Sequence, residues 1–221
     1  MPKVTEEYII NKKKKVTDAA YELCLEKTVS TVTMQDIINR TGLSQGGIYR
    51  FYRDIDEIFG DMLADMRERV SIKEQVDEIL LEAATRPVGE VTYRICDMLA
   101  DYMEAELMGV QKVDFEMSIL AMNAPERVEK ILAGAKGEGN KEYLMRRTSE
   151  YYKQKLDSGV LHAKVNEIEL LTYISSAYTG IQTSCIVYNC YNKGPFSSVF
   201  QPRTQFKVLA KTVNYLLGIE E

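Results

Sequence analysis

The side chains whose types and spacing can do chemistry concentrate in the run TMQDIINRTGLSQGGIYRFYR, which begins at Thr33. Thr33 and Ser44 stand where helices can start, since a hydroxyl there accepts from an exposed backbone N–H. After Ser44 come Gln45, Gly46 and Gly47, then Tyr49, Arg50 and Arg53. An amide side chain can make paired hydrogen bonds to a base edge, and glycines let a backbone come close to a duplex. Tyrosine, arginine and a helix N-terminus can meet phosphates, which fix position without reading sequence. The chemistry suggested is hydrogen bonding to a polyanion, with no bond made or broken.

Little else in the chain can react. His162 is the single histidine, and no nucleophile or acid flanks it in a catalytic spacing. Cys24, Cys96, Cys185 and Cys190 lack the short paired spacing of a zinc site and read as small buried hydrophobes. The GEG at 137–139 follows no strand and lacks the dinucleotide-binding spacing. An enzyme is therefore not expected, nor a catalytic residue, a metal or a cofactor.

The charge distribution agrees with a local nucleic-acid contact. The chain of 221 residues carries a formal net charge of −5, yet residues 1–53 hold nine Lys or Arg against six Asp or Glu. The remainder holds 19 against 27. A modest basic excess suits one small module on a duplex, with an acidic body beyond it. The N-terminus has no apolar leader and no run is long enough to span a bilayer, so a cytoplasmic protein without a membrane partner is expected.

The elements that position these residues read as helices throughout. Between positions 3 and 124 the only proline is Pro87, and apolar residues recur at helical spacing. A first helix is expected over about 6–27, with Val16, Ala19, Ala20 and Leu23 on one face. The β-branched TVSTVT then leads to a second helix capped by Thr33, with Asp36 in its first turn and Gly42 turning it off. Ser44 caps a third, QGGIYRFY, with Ile48 and Phe51 inward. A fourth runs from about Asp54 as far as Ala84, and further helices fall near 88–108, 111–122, 125–157, 166–191 and 203–218. Leu171, Ile174, Tyr178, Ile181, Cys185 and Tyr188 form a seam on one of the last two helices. Phe206, Leu209, Val213, Leu216 and Leu217 form a stripe on the other, separated from it by a loop with Gly194, Pro195 and Pro202, and the two should pack as an antiparallel pair.

Two short helices joined at Gly42 have the form of a helix-turn-helix, although such a hairpin also serves as a plain packing unit. The stretch from Val16 to Ile58 resembles the TetR family of regulators. Asp18, Ala19, Ala20, Thr33, Asp36, Ile37, Gly42, Leu43, Ser44, Gly46, Ile48, Tyr49, Glu57 and Ile58 carry the resemblance. Thr28 stands where the family usually has glycine, Cys24 where it has an aromatic residue, and Ile38 and Thr41 where it has alanines. Ile55 occupies the place of a common phosphate-binding lysine, a role Arg53 can take over.

The resemblance implies an all-α protein with an N-terminal three-helix, helix-turn-helix DNA-binding domain over 1–54 and a helical ligand-binding and dimerisation domain over 55–221. It further implies a homodimer joined by its last two helices, through Leu171, Ile174, Tyr178, Ile181, Cys185, Phe206, Leu209, Val213 and Leu216. Such a protein would be a repressor on a near-palindromic double-stranded operator, released by a small-molecule effector. Residues 88–191 are rich in methionine, tyrosine and phenylalanine, so an apolar or aromatic effector is expected. Met66, Cys96, Leu99, Met103, Phe115, Tyr178 and Gln182 are the candidates to line its pocket. The competing reading is a helical carrier or interaction protein whose helix-turn-helix does not bind DNA, suggested by Ile55 and the acidic total.

Overall fold

The computed structural model describes residues 5–191 and 200–219. Every regular element among them is helical: α1 (Glu6–Glu26), α2 (Met34–Thr41), α3 (Gln45–Tyr49), α4 (Ile55–Arg69), α5 (Lys73–Glu82), α6 (Val88–Glu106), α7 (Val110–Asn123), α8 (Pro125–Gly134), α9 (Asn140–Asp157), α10 (Glu167–Ile186) and α11 (Pro202–Leu216). A 3₁₀ turn at Val29–Thr31 follows α1, and a π-helical turn at Val187–Tyr191 prolongs α10. Gly194 and Pro195 lie outside the described residues, whereas Pro202 opens α11, where its missing N–H costs nothing.

Two long expected helices are each broken in two. The helix expected over 54–84 stops at Val70, because the β-branched Val70 and Ile72 flank Ser71 and Ile72 is drawn into the core. The Ile72 N–H donates to Asn140 Oδ1 at 3.3 Å in place of a helical carbonyl. The helix expected over 125–157 is interrupted around Gly137, whose φ of +81° is a left-handed conformation that stops an α-helix.

The chain forms two compact units. One comprises residues up to Val70 together with Lys112–Gly137, the other Ser71–Gln111 together with the chain from Glu138 onward. The boundary expected at 54/55 thus lies inside the first unit, because α4 packs on both α1 and α8. Its core holds Val16, Ala20, Ile37, Ile48, Ile58, Phe59 and Met62, all essentially inaccessible. Gly60 lets α4 and α8 approach: a Cβ there would stand 3.2 Å from the Ile131 carbonyl oxygen and 3.3 Å from the Gly134 carbonyl carbon. Arg127 donates to Asp56 at 2.8 Å and Lys130 to Asp54 at 2.8 Å along the same contact.

In the second unit α6 packs chiefly on α11, with α5 against α6 and α9, and α10 against α11. Asp77 of α5 accepts from Tyr143 Oη at 2.6 Å and from Arg147 Nε at 2.9 Å, both on α9. α10 has no charged residue after Glu169, yet only Leu170, Cys185 and Ile186 are buried within the chain.

Candidate functional site

The candidate nucleic-acid interface is built by local capping. Thr33 Oγ1 accepts from the Asp36 N–H at 3.2 Å while an Asp36 oxygen accepts from the Thr33 N–H at 2.8 Å, a reciprocal cap at the start of α2. Lys27 Nζ donates to the same carboxylate at 2.6 Å. Hydrogen bonds from Lys27 and then Thr33 hold the Asp36 carboxyl well down, at about 2. At the far end Gly42 takes φ +65°, so α2 closes in a left-handed turn that lacks a Cβ penalty. Ser44 then opens α3, its Oγ accepting from the Gly47 N–H at 3.2 Å.

α3 is shorter than the expected QGGIYRFY and ends at Tyr49. Ile48 is buried as expected, but Phe51 is only half-buried and Tyr52 is the aromatic anchor instead. Tyr52 Oη donates to Asp61 Oδ2 at 2.9 Å, and Lys13 Nζ reaches the same oxygen at 2.9 Å while lying over the tyrosine ring. Burial first and the Asp61 charge second push the Tyr52 phenol up, so it stays a neutral donor. This ties α3 to α1 and α4 from beneath.

The opposite face of α3 is open. Gln45, Gly46, Tyr49 and Arg50 are exposed and Gly47 is half-exposed. Among the described residues, the side chains of Gln45, Tyr49 and Arg50 have neither a hydrogen bond nor an ion pair. A Cβ at Gly46 would meet nothing within 4 Å, so that glycine answers no internal packing need. Thr33, Ser44, Gln45, Gly46, Gly47, Tyr49 and Arg50 therefore sit on or beside one capped hairpin. Arg53 differs: its side chain is 88% exposed, yet its guanidinium holds Glu57 at 2.5 Å. The Arg53 N–H also donates to Glu57 at 2.8 Å, and these bonds raise the arginine and lower the carboxyl. Ile55 is the first residue of α4 and half-buried.

A second candidate site lies wholly within the second unit. A cavity of about 620 Å³, its open mouth included, is walled by α6, α9, α10 and α11. Cys96, Leu99 and Tyr178 line it among the expected ligand residues, together with Thr92 and Ile95. Met66 and Phe115 belong to the first unit and so do not line it. Met103 is fully buried elsewhere on α6, and Gln182 is engaged with Gln111 at 2.7 Å. Sequence reasoning missed the α9 wall of Lys141, Leu144, Met145, Thr148 and Tyr152. Their spacing marks one helical face, but the strongly polar composition of 140–157 hid it.

The stripes expected between two copies are largely spent inside one. Cys185, Phe206, Leu209 and Val213 are buried within the chain, and Ile174, Tyr178, Leu209 and Val213 wall the cavity. Leu171, Ile181 and Leu216 remain half-exposed. The large apolar side chains turned outward on the last two helices are instead Ile168, Tyr173, Val208 and Tyr215.

Among the described residues, no group of three or more His, Cys, Asp or Glu can hold a metal ion, and no helix is long and apolar enough to cross a membrane. Cys24, Cys96 and Cys185 are buried, and burial pushes the thiols of Cys24 and Cys96 up to about 12. Burial and a raised thiol both disfavour the reactive thiolate.

Comparison with known proteins places this arrangement. Residues 16–62 match the family model described as bacterial regulatory proteins, tetR family. Over 215 residues the chain is 21% identical to the Bacillus subtilis (strain 168) protein named uncharacterized HTH-type transcriptional regulator YfiR, covering 96% of each. The fold is that of Salmonella enterica GusR, with a TM-score of 0.64 at 13% identity over 98% of this chain and 99% of that one. It is also that of Thermus thermophilus FadR, a TetR-family repressor solved with lauroyl-CoA, with a TM-score of 0.56 at 16% identity over 95% and 96%. The capped hairpin at 33–49 lies within the stretch matched by that family model, and the chain as a whole shares the fold of these two solved proteins.

Proposed function

We propose that the protein is a homodimeric repressor that binds a near-palindromic operator and leaves it when a small apolar or aromatic molecule fills the cavity of the second unit. One observation carries the DNA side of this reading: Gln45, Tyr49 and Arg50 form an exposed face without partners among the described residues, on a hairpin anchored from below by Tyr52. Residues 1–54 make the DNA contact in this reading, through Thr33, Ser44, Gln45, Gly46, Gly47, Tyr49, Arg50 and Arg53. Gln45 and the glycines face base edges, while Tyr49, Arg50 and the helix start at Thr33 hold phosphates. Arg53 takes the place of the missing lysine at Ile55 only by giving up Glu57.

Effector binding and dimerisation fall to residues within 55–221. A helix as apolar as α10 that buries only three residues within its own chain is a surface for a second copy, and α11 adds Val208 and Tyr215. Dimerisation sets two α3 helices one helical turn of DNA apart, roughly 34 Å or a multiple. By linkage, an effector lowers operator affinity only as far as it prefers the conformation that does not bind DNA, and the operator weakens the effector equally. FadR, solved with lauroyl-CoA, and the apolar walls of this cavity support a small-molecule effector.

The test is selection of bound sequences from a random duplex library, repeated with Tyr49→Ala and Arg50→Ala. A palindromic site that the variants lose, with helix content and dimer intact, is the expected result. No enriched site at low salt, with or without added apolar compounds, would overturn the proposal.

A further inference from the structure

The cavity of the second unit is polarised by one charge. Of the side chains that line it, Lys141 alone is ionised. Its ammonium stands 5.8 Å from the centre of the Tyr178 ring, another wall residue, and among the described residues no carboxylate is within ion-pair distance of it. Glu142, next in the chain, is exposed and does not line the cavity. Lys141 also sits in the first turn of α9, where the helix dipole is positive and no side chain caps the end.

Away from Lys141 and the Ser175 hydroxyl, the wall asks for little that is polar. Thr148 Oγ1 donates to the Leu144 carbonyl at 2.8 Å, and the Tyr152 and Thr92 hydroxyls bond each other at 2.8 Å, so these groups are already satisfied. Leu144, Met145 and Tyr152 follow Lys141 down one face of α9. A second cavity, about 410 Å³ with its open mouth included, shares Met145, Thr148, Tyr152 and Ile174 as walls and continues past Leu156 to Lys153 and Glu167. The first cavity thus has a cationic end at Lys141 and a largely apolar body that reaches Tyr152, and the charged Lys153 and Glu167 appear only among the walls of the second cavity.

Resting on the reading of this cavity as the effector site, we infer that its ligand is an amphiphile with one negatively charged head group on an extended apolar body. The head group meets Lys141 and the body lies along α9 toward Tyr152. A cationic amphiphile would face an uncompensated like charge at the same place. Because Lys141 is exposed, its attraction is screened, so the discrimination it supplies is modest, on the order of fivefold over a neutral analogue.

Calorimetric titration of the full-length protein with decanoate, 1-decanol and decyltrimethylammonium, each below its micelle concentration, tests this. Decanoate should bind about fivefold tighter than decanol, and the ammonium weakest. Lys141→Gln should bring decanoate down to decanol while leaving decanol unchanged, and Lys141→Arg should keep the preference. Leu144→Trp, with thermal unfolding followed to confirm its fold, should fill the cavity and abolish all binding. Decanol equal to or tighter than decanoate, with binding still lost in Leu144→Trp, overturns the anionic head group but leaves the cavity as effector site. Absence of binding by all three, or binding indifferent to Leu144→Trp, overturns both.

Discussion

Arg50 and Arg53 lie three residues apart and are both exposed, yet under the proposed DNA-binding role they should contribute differently. Among the described residues Arg50 has no internal partner, whereas the Arg53 guanidinium is bonded to Glu57 at 2.5 Å and must break that pair to reach a phosphate. Each phosphate contact contributes about 0.9 to the slope of log K against log salt. A dimer that loses Arg50 from both half-sites therefore loses about 1.8 of slope, which is about a tenfold smaller fall in affinity between 50 and 200 mM salt. Arg53→Ala should change the slope by well under half of that, because the released Glu57 adds only a local negative charge. Glu57→Gln should act in the opposite direction: it frees Arg53, steepens the salt dependence and tightens binding at low salt. Fluorescence anisotropy on a labelled selected operator across a salt series measures all three. An unchanged slope in Arg50→Ala together with a large drop in Arg53→Ala would refute this assignment, and would mean that the Arg53–Glu57 pair is dissolved on DNA at negligible cost.

Three further outcomes follow from other parts of the structure. The Asp36 carboxyl is held at about 2, below the ordinary range near 4, so its cap stabilises the fold fully above the unfolded value and is lost as pH falls toward 2; the stability gap between the native protein and Asp36→Asn, measured by urea unfolding, should shrink over that interval, and a gap independent of pH would contradict the cap. Gly218 takes φ +76° and a Cβ there would collide with the His162 carbonyl oxygen, so Gly218→Ala should cost about 2 kcal/mol or more in urea unfolding, and a neutral variant would mean that this turn is not held as seen. Thiol labelling of the native protein near pH 8 should reach the part-exposed Cys190 well before Cys24 or Cys96, whose burial pushes their thiols up to about 12; mass mapping that finds Cys24 first would show that the first unit opens readily.

The capped hairpin was legible because every signal in it is local. Thr33 to Asp36, Gly42, and Ser44 to Gly47 act over three or four residues, within the reach of a capping bond or a single left-handed turn. The all-helical class was legible for a related reason, since helical periodicity records which face is buried without saying against what. Tertiary packing decided everything that depends on the partner of a face. Phe206, Leu209 and Val213 form the same stripe whether they meet α6 or a second copy, and only the fold shows that they are buried within the chain. Met66 and Phe115 look as apolar as Leu99, yet they lie in the other unit. The α9 wall escaped notice because a polar helix can still present Leu144, Met145 and Tyr152 to a cavity. The Arg53–Glu57 pair, though local in sequence, depends on the turn at Asp54 that starts α4. Short-range capping and periodicity are properties of a segment, and a sequence states them outright; the identity of a buried face's neighbour is settled by long-range packing among helices that many arrangements satisfy almost equally.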